Sequence, residues 1–219
     1  MDARKLLTEG RHALARADLP GLEAEILLGY VLGRNRAWFY ANPEAEVSEA
    51  DVSHYRALLH RRRDGEPVAY LTGVREFWSM VLTVTPDVLI PRPETECLVE
   101  AVLPFLDNPG RSPQRVLDMG TGSGAIIIAL AHEHPEHRYV AMDRSVPALN
   151  TARQNARTHQ VDHCINWFCG NWNAALAAAS ASSGPGGPYS AGDGTMRMGS
   201  GSRSVTARTG SKDMTRNSL

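Results

Sequence analysis

Residues 116–128 contain a short apolar strand, a glycine-rich turn and an apolar helix, and this order constrains the fold more than any other stretch of the chain. Glycine occupies the alternate positions 120, 122 and 124, so the backbone can turn tightly and side chains do not fill the space that a ligand needs. We call residues 120–124 the glycine turn. Asp118 lies at the end of the strand, where its carboxylate is expected to point into the crevice above a sheet and to favour a cationic ligand group.

Two nucleotide cofactors fit this pattern. Gly120, Gly122 and Ala125 satisfy the dinucleotide motif, in which a pyrophosphate binds the helix N-terminus. The acid beside the glycines better suits a ligand with an amino group and a sulfonium, as in S-adenosylmethionine, and we favour this methyl donor over a dinucleotide or a purely structural turn. Asp143 ends the next predicted strand, 19 residues after Gly124, where its carboxylate can accept hydrogen bonds from both ribose hydroxyls of either cofactor.

The composition indicates a globular chain whose net charge does not attract a highly charged partner. The 219 residues are 42% hydrophobic, which is enough for a core, and the net charge of -1 supplies no overall field for nucleic acid or a membrane surface. The longest apolar run, residues 125–131, is far shorter than the ~20 residues of a membrane span. The N-terminus lacks an apolar signal segment, and the three cysteines lack the spacing of metal ligands, so we expect a cytoplasmic protein.

The first part of the chain is predicted to be a small helical bundle. Apolar residues recur at helical spacing in residues 2–16 and 20–33, and a third helix begins at Ser48 and continues to Gly65. The third helix ends in the arginines 61–63. These arginines could contact an acidic or nucleic-acid partner, but the dipole of a helix favours cations at its C-terminus in any case.

The second part of the chain is predicted to be α/β. Residues 68–91 contain two short β-prone runs, Phe77-Trp78 and Val81-Leu82-Thr83-Val84, which suggest a hairpin, and a helix follows the proline at position 93. Beyond a break at residues 108–113, strands alternate with helices, which indicates a parallel doubly wound sheet. The predicted strands are residues 115–119, 138–143 and 163–169, and the predicted helices are residues 123–133 and 146–158.

Neither the histidines nor the cysteines predict a metal site. His132, His134 and His137 surround the end of a helix, which is an uncommon arrangement for metal ligands. Cys164 and Cys169 lie an odd number of residues apart on a predicted strand, so they point to opposite faces, and we expect both to pack in the core.

The character of the sequence changes after residue 173. Residues 174–219 are rich in Gly, Ser and Ala, and their only Leu, Ile, Val or Phe residues are Leu176, Val205 and Leu219. Such a segment buries too little apolar area to offset the entropy of ordering, so we expect it to be disordered. The predicted divisions are a helical bundle at 1–66, a hairpin connector at 67–92, a partial cofactor-binding domain at 93–173 and a low-complexity tail at 174–219.

Three motifs together resemble the HemK/PrmC family, whose members methylate the glutamine side-chain amide of peptide chain release factors. These motifs are Tyr70-Leu71-Thr72-Gly73 followed by Phe77-Trp78, the segment Leu89-Ile90-Pro91-Arg92-Pro93-Glu94-Thr95-Glu96, and residues 117–125. The resemblance extends from about residue 3 to residue 173. It implies a Rossmann-like methyltransferase sheet after an all-α domain that docks the release factor, whose Gly-Gly-Gln loop is the substrate.

The resemblance also implies which residues bind S-adenosylmethionine. The glycine turn and the acid after the second strand correspond to Gly120, Thr121, Gly122, Ser123, Gly124 and Asp143. Asp118 is added to this site because of its position at the end of the first strand. An Asp-Trp pair lines the adenine pocket in the family, and this chain has Asn171-Trp172, so only Trp172 is assigned to that pocket. We expect no metal and no nucleic-acid partner.

The acceptor motif of the family, Asn-Pro-Pro-Tyr, does not occur in this sequence. In the family this motif orients the weakly nucleophilic glutamine amide towards the methyl group, so no catalytic residue is assigned here. The switch to low-complexity sequence inside one domain suggests a truncated or frameshifted product. Without a fourth strand, residues 115–119 would form an unpaired edge of the sheet. The alternative functions are a non-catalytic protein that docks on release factors and an NAD-binding oxidoreductase.

Overall fold

The computed structural model describes residues 1–107, 112–171 and 205–207, the last three by their backbone. The chain divides into two units, Met1–Val74 and Arg75–Leu219. The predicted connector of residues 67–92 is divided between them, because its first residues belong to the helical unit. No helix in the described ranges has both the length and the apolarity needed to cross a lipid bilayer.

The first unit is helical. Its helices are α1 Ala3–Ala13, α2 Pro20–Leu32, α3 Arg36–Ala41, α4 Glu49–Arg63 and α5 Val68–Thr72. The predicted cap of α4 is confirmed, since Ser48 Oγ accepts a hydrogen bond from the amide of Asp51 at 3.2 Å. Pro20 lies in the first turn of α2, and Gly33 ends that helix in the left-handed conformation.

The arginines at the end of α4 are paired within the helical unit. Arg61 binds Glu66 at 2.6 Å, and Arg62 binds Glu23 at 2.8 Å. Arg63 is 2.9 Å from the Nδ1 of His60. These contacts favour the structural interpretation of the three arginines over a basic surface for a partner.

The second unit has mixed α/β structure. Its elements are β1 Val74–Phe77, β2 Met80–Thr83, α6 Glu96–Leu106, β3 Arg115–Met119, α7 Ala125–Glu133, β4 Arg138–Asp143, α8 Val146–Thr158, β5 Ile165–Cys169 and β6 Val205–Ala207. Short 3-10 helices occupy Pro93–Thr95 and Asp162–Cys164. The strands β1 and β2 form a two-stranded sheet, and the other four strands form a second sheet.

The four-stranded sheet is parallel, with the order β5-β4-β3-β6. Because β3, β4 and β5 follow one another in one direction, right-handed crossovers place α7 and α8 on the same face, and the two helices contact each other. Tyr139 and Ala141 face these helices and are fully buried. Val140 and Phe168, on the opposite face, are partly exposed.

The prediction that β3 is an edge strand is wrong. The backbone of residues 205–207 pairs with β3 in parallel, from Val116 opposite Val205 to Asp118 opposite Ala207. An unpaired strand offers its amide and carbonyl groups to any extended segment, and Val and Thr favour that conformation. The rest of the predicted disordered tail, residues 174–204 and 208–219, lies outside the described residues.

The hairpin turn differs from the prediction that Phe77 and Trp78 share one β run. Trp78 and Ser79 form the turn between β1 and β2, and both have positive φ angles, of 53° and 57°. The turn is held by two carboxylates: Glu96 Oε1 accepts from the backbone amide of Trp78, and Glu133 Oε1 accepts from its indole Nε1, each at 2.8 Å.

Candidate functional site

The glycine turn lies at the carboxyl ends of β3 and β4. The amides of Gly120 and Thr121 both donate to the carbonyl of Met142 in β4, at 2.7 and 2.9 Å. The amide of Gly124 then donates to the carbonyl of Thr121 at 2.8 Å, which closes a β-turn over residues 121–124. Three amides of the glycine turn are therefore hydrogen-bonded to carbonyl groups of the chain.

The glycines of the turn have different roles, which corrects the expectation that all three leave space for a ligand. Gly122 has a φ of +56°, and a Cβ there would meet no atom within 4 Å, so its surroundings are open. A Cβ on Gly124, at a φ of +82°, would lie 2.8 Å from Ile128 Cδ1 and 3.1 Å from Ala152 Cβ. Gly124 is therefore required for close packing of α7 against α8.

Asp143 lies at the end of β4, and its carboxylate is fixed against the turn. Its Oδ2 accepts from the amide of Gly122 at 3.0 Å, and its Oδ1 accepts from the amide of Ser145 at 2.9 Å. The side chain is only partly buried. Each carboxylate oxygen can accept a further hydrogen bond, so the group can still bind two hydroxyls of a ligand.

Asp118 is more enclosed than the expected position in an open crevice, since only 5% of the residue is exposed. Burial raises the pKa of Asp118 to about 6; the hydroxyl of Thr121 offsets part of this rise, and the carboxylate of Asp143 adds to it. In the described part of the chain, neither Asp118 Oδ2 nor Thr121 Oγ1 has a hydrogen-bond partner of acceptable geometry. A buried unpaired acceptor costs free energy that a donor on a ligand would recover.

Asn155 in α8 also contacts the turn, although no motif in the sequence indicated it. Its side chain is buried, with 1% of the residue exposed, and its Nδ2 donates to the carbonyl of Ser123 at 2.9 Å. The only sequence signal is a polar residue on the buried face of a helix, one position before the buried Ala156.

The remaining residue assigned to the cofactor is Trp172. Trp172 lies outside the described residues, and Asn171, which precedes it, is exposed. The structure therefore brings together Asp118, the glycine turn and Asp143.

The histidines around the end of α7 do not offer a full set of metal ligands. Ring nitrogens of His134 and His137 lie within 4.8 Å of one another and of a carboxylate oxygen of Glu136. However, both ring nitrogens of His137 are used: Nε2 is 3.0 Å from the carbonyl of Leu106, and Nδ1 accepts from the amide of Gln114 at 3.4 Å. His137 instead connects α6 to the start of the sheet.

The prediction for the two later cysteines is wrong in part. Cys164 ends a 3-10 helix rather than lying on a strand, and it is half-buried. Cys169 is exposed, because it lies at the end of β5, the outer strand of the sheet on that side. It therefore does not pack in the core.

A separate cavity of about 900 Å³ is lined by Trp78, Ser79, Met80, Val81, Thr83, Glu96, His132, Glu133, Thr158 and His159. None of the residues predicted to bind a cofactor is among them. The cavity lies beside the hairpin turn and the C-terminal ends of α7 and α8, whereas the glycine turn lies at the opposite, carboxyl end of the strands.

Two family models match the chain. The PrmC N-terminal domain matches residues 5–73, and the methyltransferase small domain matches residues 95–181. The first match coincides with the helical unit, and the second contains the glycine turn and Asp143.

Curated relatives agree with both models. The release factor glutamine methyltransferase of Escherichia coli K12 is 45% identical over 177 residues, which cover 81% of this chain and 62% of the relative. The protein of the same name from Coxiella burnetii is 46% identical over 157 residues, which cover 72% of this chain and 56% of the relative. The chain thus spans less than two thirds of the length of these relatives.

Solved structures resemble the chain only in part. The O-methyltransferase TomG from Streptomyces achromogenes, solved in complex with S-adenosylmethionine, aligns with a TM-score of 0.35 and 23% identity. The alignment covers 47% of this chain and 43% of that chain.

Proposed function

The chain belongs to the PrmC family, whose N-terminal domain it carries before a methyltransferase small domain, and from this premise we propose that it binds S-adenosylmethionine at the glycine turn. The observation that carries the proposal is the position of the Asp143 carboxylate. It is bonded to the amide of Gly122 and keeps acceptor capacity for the two ribose hydroxyls.

The residues around the turn fit this cofactor. Gly122 leaves open space where a ligand can approach the backbone, and Asp118 Oδ2 is a buried acceptor without a partner in the described residues. An ammonium group placed near Asp118 would supply the missing donor and favour the ionised carboxylate. Such an arrangement suits the cationic methionine part of the cofactor better than a pyrophosphate, which would meet two carboxylates.

The cofactor would supply an electrophilic methyl group, and this chain's residues would hold it. Asp143 would fix the ribose, Asp118 would face a cationic group, and Gly122 would leave the path of the ligand free of a side chain. Because the relatives are named release factor glutamine methyltransferases, we assign the glutamine amide of a peptide chain release factor as the acceptor in this family, and the cytoplasm as the compartment.

Calorimetry on the full chain tests the cofactor assignment. We expect S-adenosylmethionine and S-adenosylhomocysteine to bind and NAD not to bind. Binding of NAD without binding of S-adenosylhomocysteine would instead identify a dinucleotide-binding protein and overturn the proposal.

We further propose that this chain does not methylate release factors. The sequence lacks the Asn-Pro-Pro-Tyr motif, which would orient the amide, and lost orientation alone can raise the barrier by up to ~7–11 kcal/mol. The test is transfer of a labelled methyl group to a purified release factor, with the Escherichia coli relative as the positive control. Turnover similar to that of the control would contradict the proposal, and release-factor binding without turnover would identify a docking protein.

A further inference from the structure

The side chain of Asn155 joins the glycine turn to the exit of the hairpin. Its Oδ1 accepts from the amide of Thr83 at 2.7 Å, and its Nδ2 donates to the carbonyl of Thr83 at 2.9 Å. The same Nδ2 donates its second hydrogen to the carbonyl of Ser123, also at 2.9 Å. Thr83 is the last residue of β2, so one amide connects α8, β2 and the glycine turn.

These contacts fix the orientation of the Asn155 amide. A buried amide is costly unless it is hydrogen-bonded, and here both donors and the acceptor are used. Rotation of the amide by 180° would place its nitrogen against the amide of Thr83 and its oxygen against two carbonyls. The observed orientation is therefore the only one that satisfies all three backbone groups.

The bond to Ser123 acts on one peptide of the turn. The carbonyl of Ser123 and the amide of Gly124 belong to the same rigid peptide plane, and that amide donates to the carbonyl of Thr121 at 2.8 Å. Holding the carbonyl from one side therefore holds the amide on the other. This plane closes the β-turn that places Gly122 next to Asp143.

We propose that Asn155 is a positioning residue, which keeps the glycine turn in its ligand-binding shape through the Ser123–Gly124 peptide. The inference rests on the proposed cofactor site for its functional meaning. A simple packing role would make Asn155 contribute to the stability of the whole unit, whereas a positioning role acts locally on the turn. The two roles differ in which amides become exposed to exchange.

The variant Asn155→Asp keeps the shape of the side chain but removes both donors and puts an acid against two carbonyls. Asn150→Asp is the matched control, because Asn150 is exposed on the same helix. Amide hydrogen exchange is measured on the full chain without ligand, at Gly124 in the turn and at Ala141 in β4. We expect exchange at Gly124 to rise by at least about tenfold in Asn155→Asp, with Ala141 and the control unchanged.

Affinity for S-adenosylhomocysteine is the second measurement, and we expect it to fall about tenfold in Asn155→Asp alone. If the unmodified chain binds no S-adenosylhomocysteine, the proposed function fails, but the exchange measurement still reports on Asn155. An equal rise at Gly124 and Ala141 would overturn the positioning role, and so would no rise at all. Asn155→Ser is a second variant, which removes the amide without introducing a charge. If neither variant folds, Asn155 contributes to global stability and the inference is overturned.

Discussion

The carboxylate of Asp143 is both part of the fold and a candidate ligand-binding group. It accepts hydrogen bonds from the amides of Gly122 and Ser145, and it is expected to accept two more from a ribose. A charge-assisted hydrogen bond stabilises by about 1.5–3 kcal/mol. Asp143→Ala should therefore weaken S-adenosylhomocysteine binding by at least about tenfold in calorimetry.

Two further variants sharpen this test of Asp143. Asp143→Asn keeps one acceptor oxygen and should bind with intermediate affinity. Glu100→Ala removes an exposed carboxylate from α6 and should have no effect. An affinity for Asp143→Ala equal to that of the unmodified chain would remove Asp143 from the site.

The pKa of Asp118 makes stability depend on pH. Burial raises this pKa from 3.8 to about 6, so folding favours the protonated carboxyl group. The contribution of Asp118 to the free energy of unfolding is fully present below its unfolded-state pKa, and it is lost as the pH rises through about 6. Asp118→Asn does not titrate, and its free energy of unfolding should rise relative to the unmodified chain by about 2–3 kcal/mol between about pH 4 and pH 7.5.

Urea denaturation at a series of pH values measures this difference. Glu100→Gln, on the exposed side of α6, is the control and should show no change with pH relative to the unmodified chain. If the difference for Asp118→Asn stays constant over the same range, Asp118 does not have the raised pKa.

At the scale of the elements, the hairpin turn stores backbone strain. Trp78 and Ser79 both adopt the left-handed region, where two-residue hairpin turns usually have Asn and Gly. Ser79→Gly should raise the free energy of unfolding by about 0.5–1 kcal/mol in urea denaturation, because glycine adopts this conformation without a steric penalty. Ser79→Ala retains the Cβ and should give no such gain; an equal gain in both variants would mean that strain is not the cause.

Elements with a clear apolar pattern could be predicted from the sequence, and elements without one could not. The predicted strands 115–119 and 138–143 and the predicted helix 146–158 have the observed bounds. The helix Arg36–Ala41 was missed, because its six residues include three adjacent aromatics and no helical periodicity. The hairpin turn was missed for a different reason, since the bonds of Trp78 to Glu96 and Glu133 join residues that are distant in sequence.

The candidate site could be predicted only in part for a similar reason. The glycines and the acids at the strand ends form a local pattern that a single sequence displays. Asn155 acts through groups 32 and 72 residues away, and no local pattern indicates such a contact. The role of Gly124 in packing against Ala152 also depends on the arrangement of two helices.

At the scale of the whole molecule, the sheet has a fourth strand beside β3. The backbone pairing of residues 205–207 satisfies groups of β3 that would otherwise be unpaired. Thr206→Pro removes an amide and restricts the backbone, so it should lower the free energy of unfolding by about 1–3 kcal/mol in urea denaturation. Glu49→Pro, at the exposed first position of α4 where proline is tolerated, is the control. Equal stability of both variants would mean that this pairing contributes nothing.

The hydrogen bonds within the glycine turn should also affect the rate at which the molecule binds a ligand. The amides of Gly120, Thr121, Gly122 and Gly124 are all bonded to acceptors within the chain. A ligand that meets this turn does not have to order it, so association should be a single encounter step without a slow rearrangement. The observed association rate should then rise in proportion to ligand concentration and should not reach a plateau.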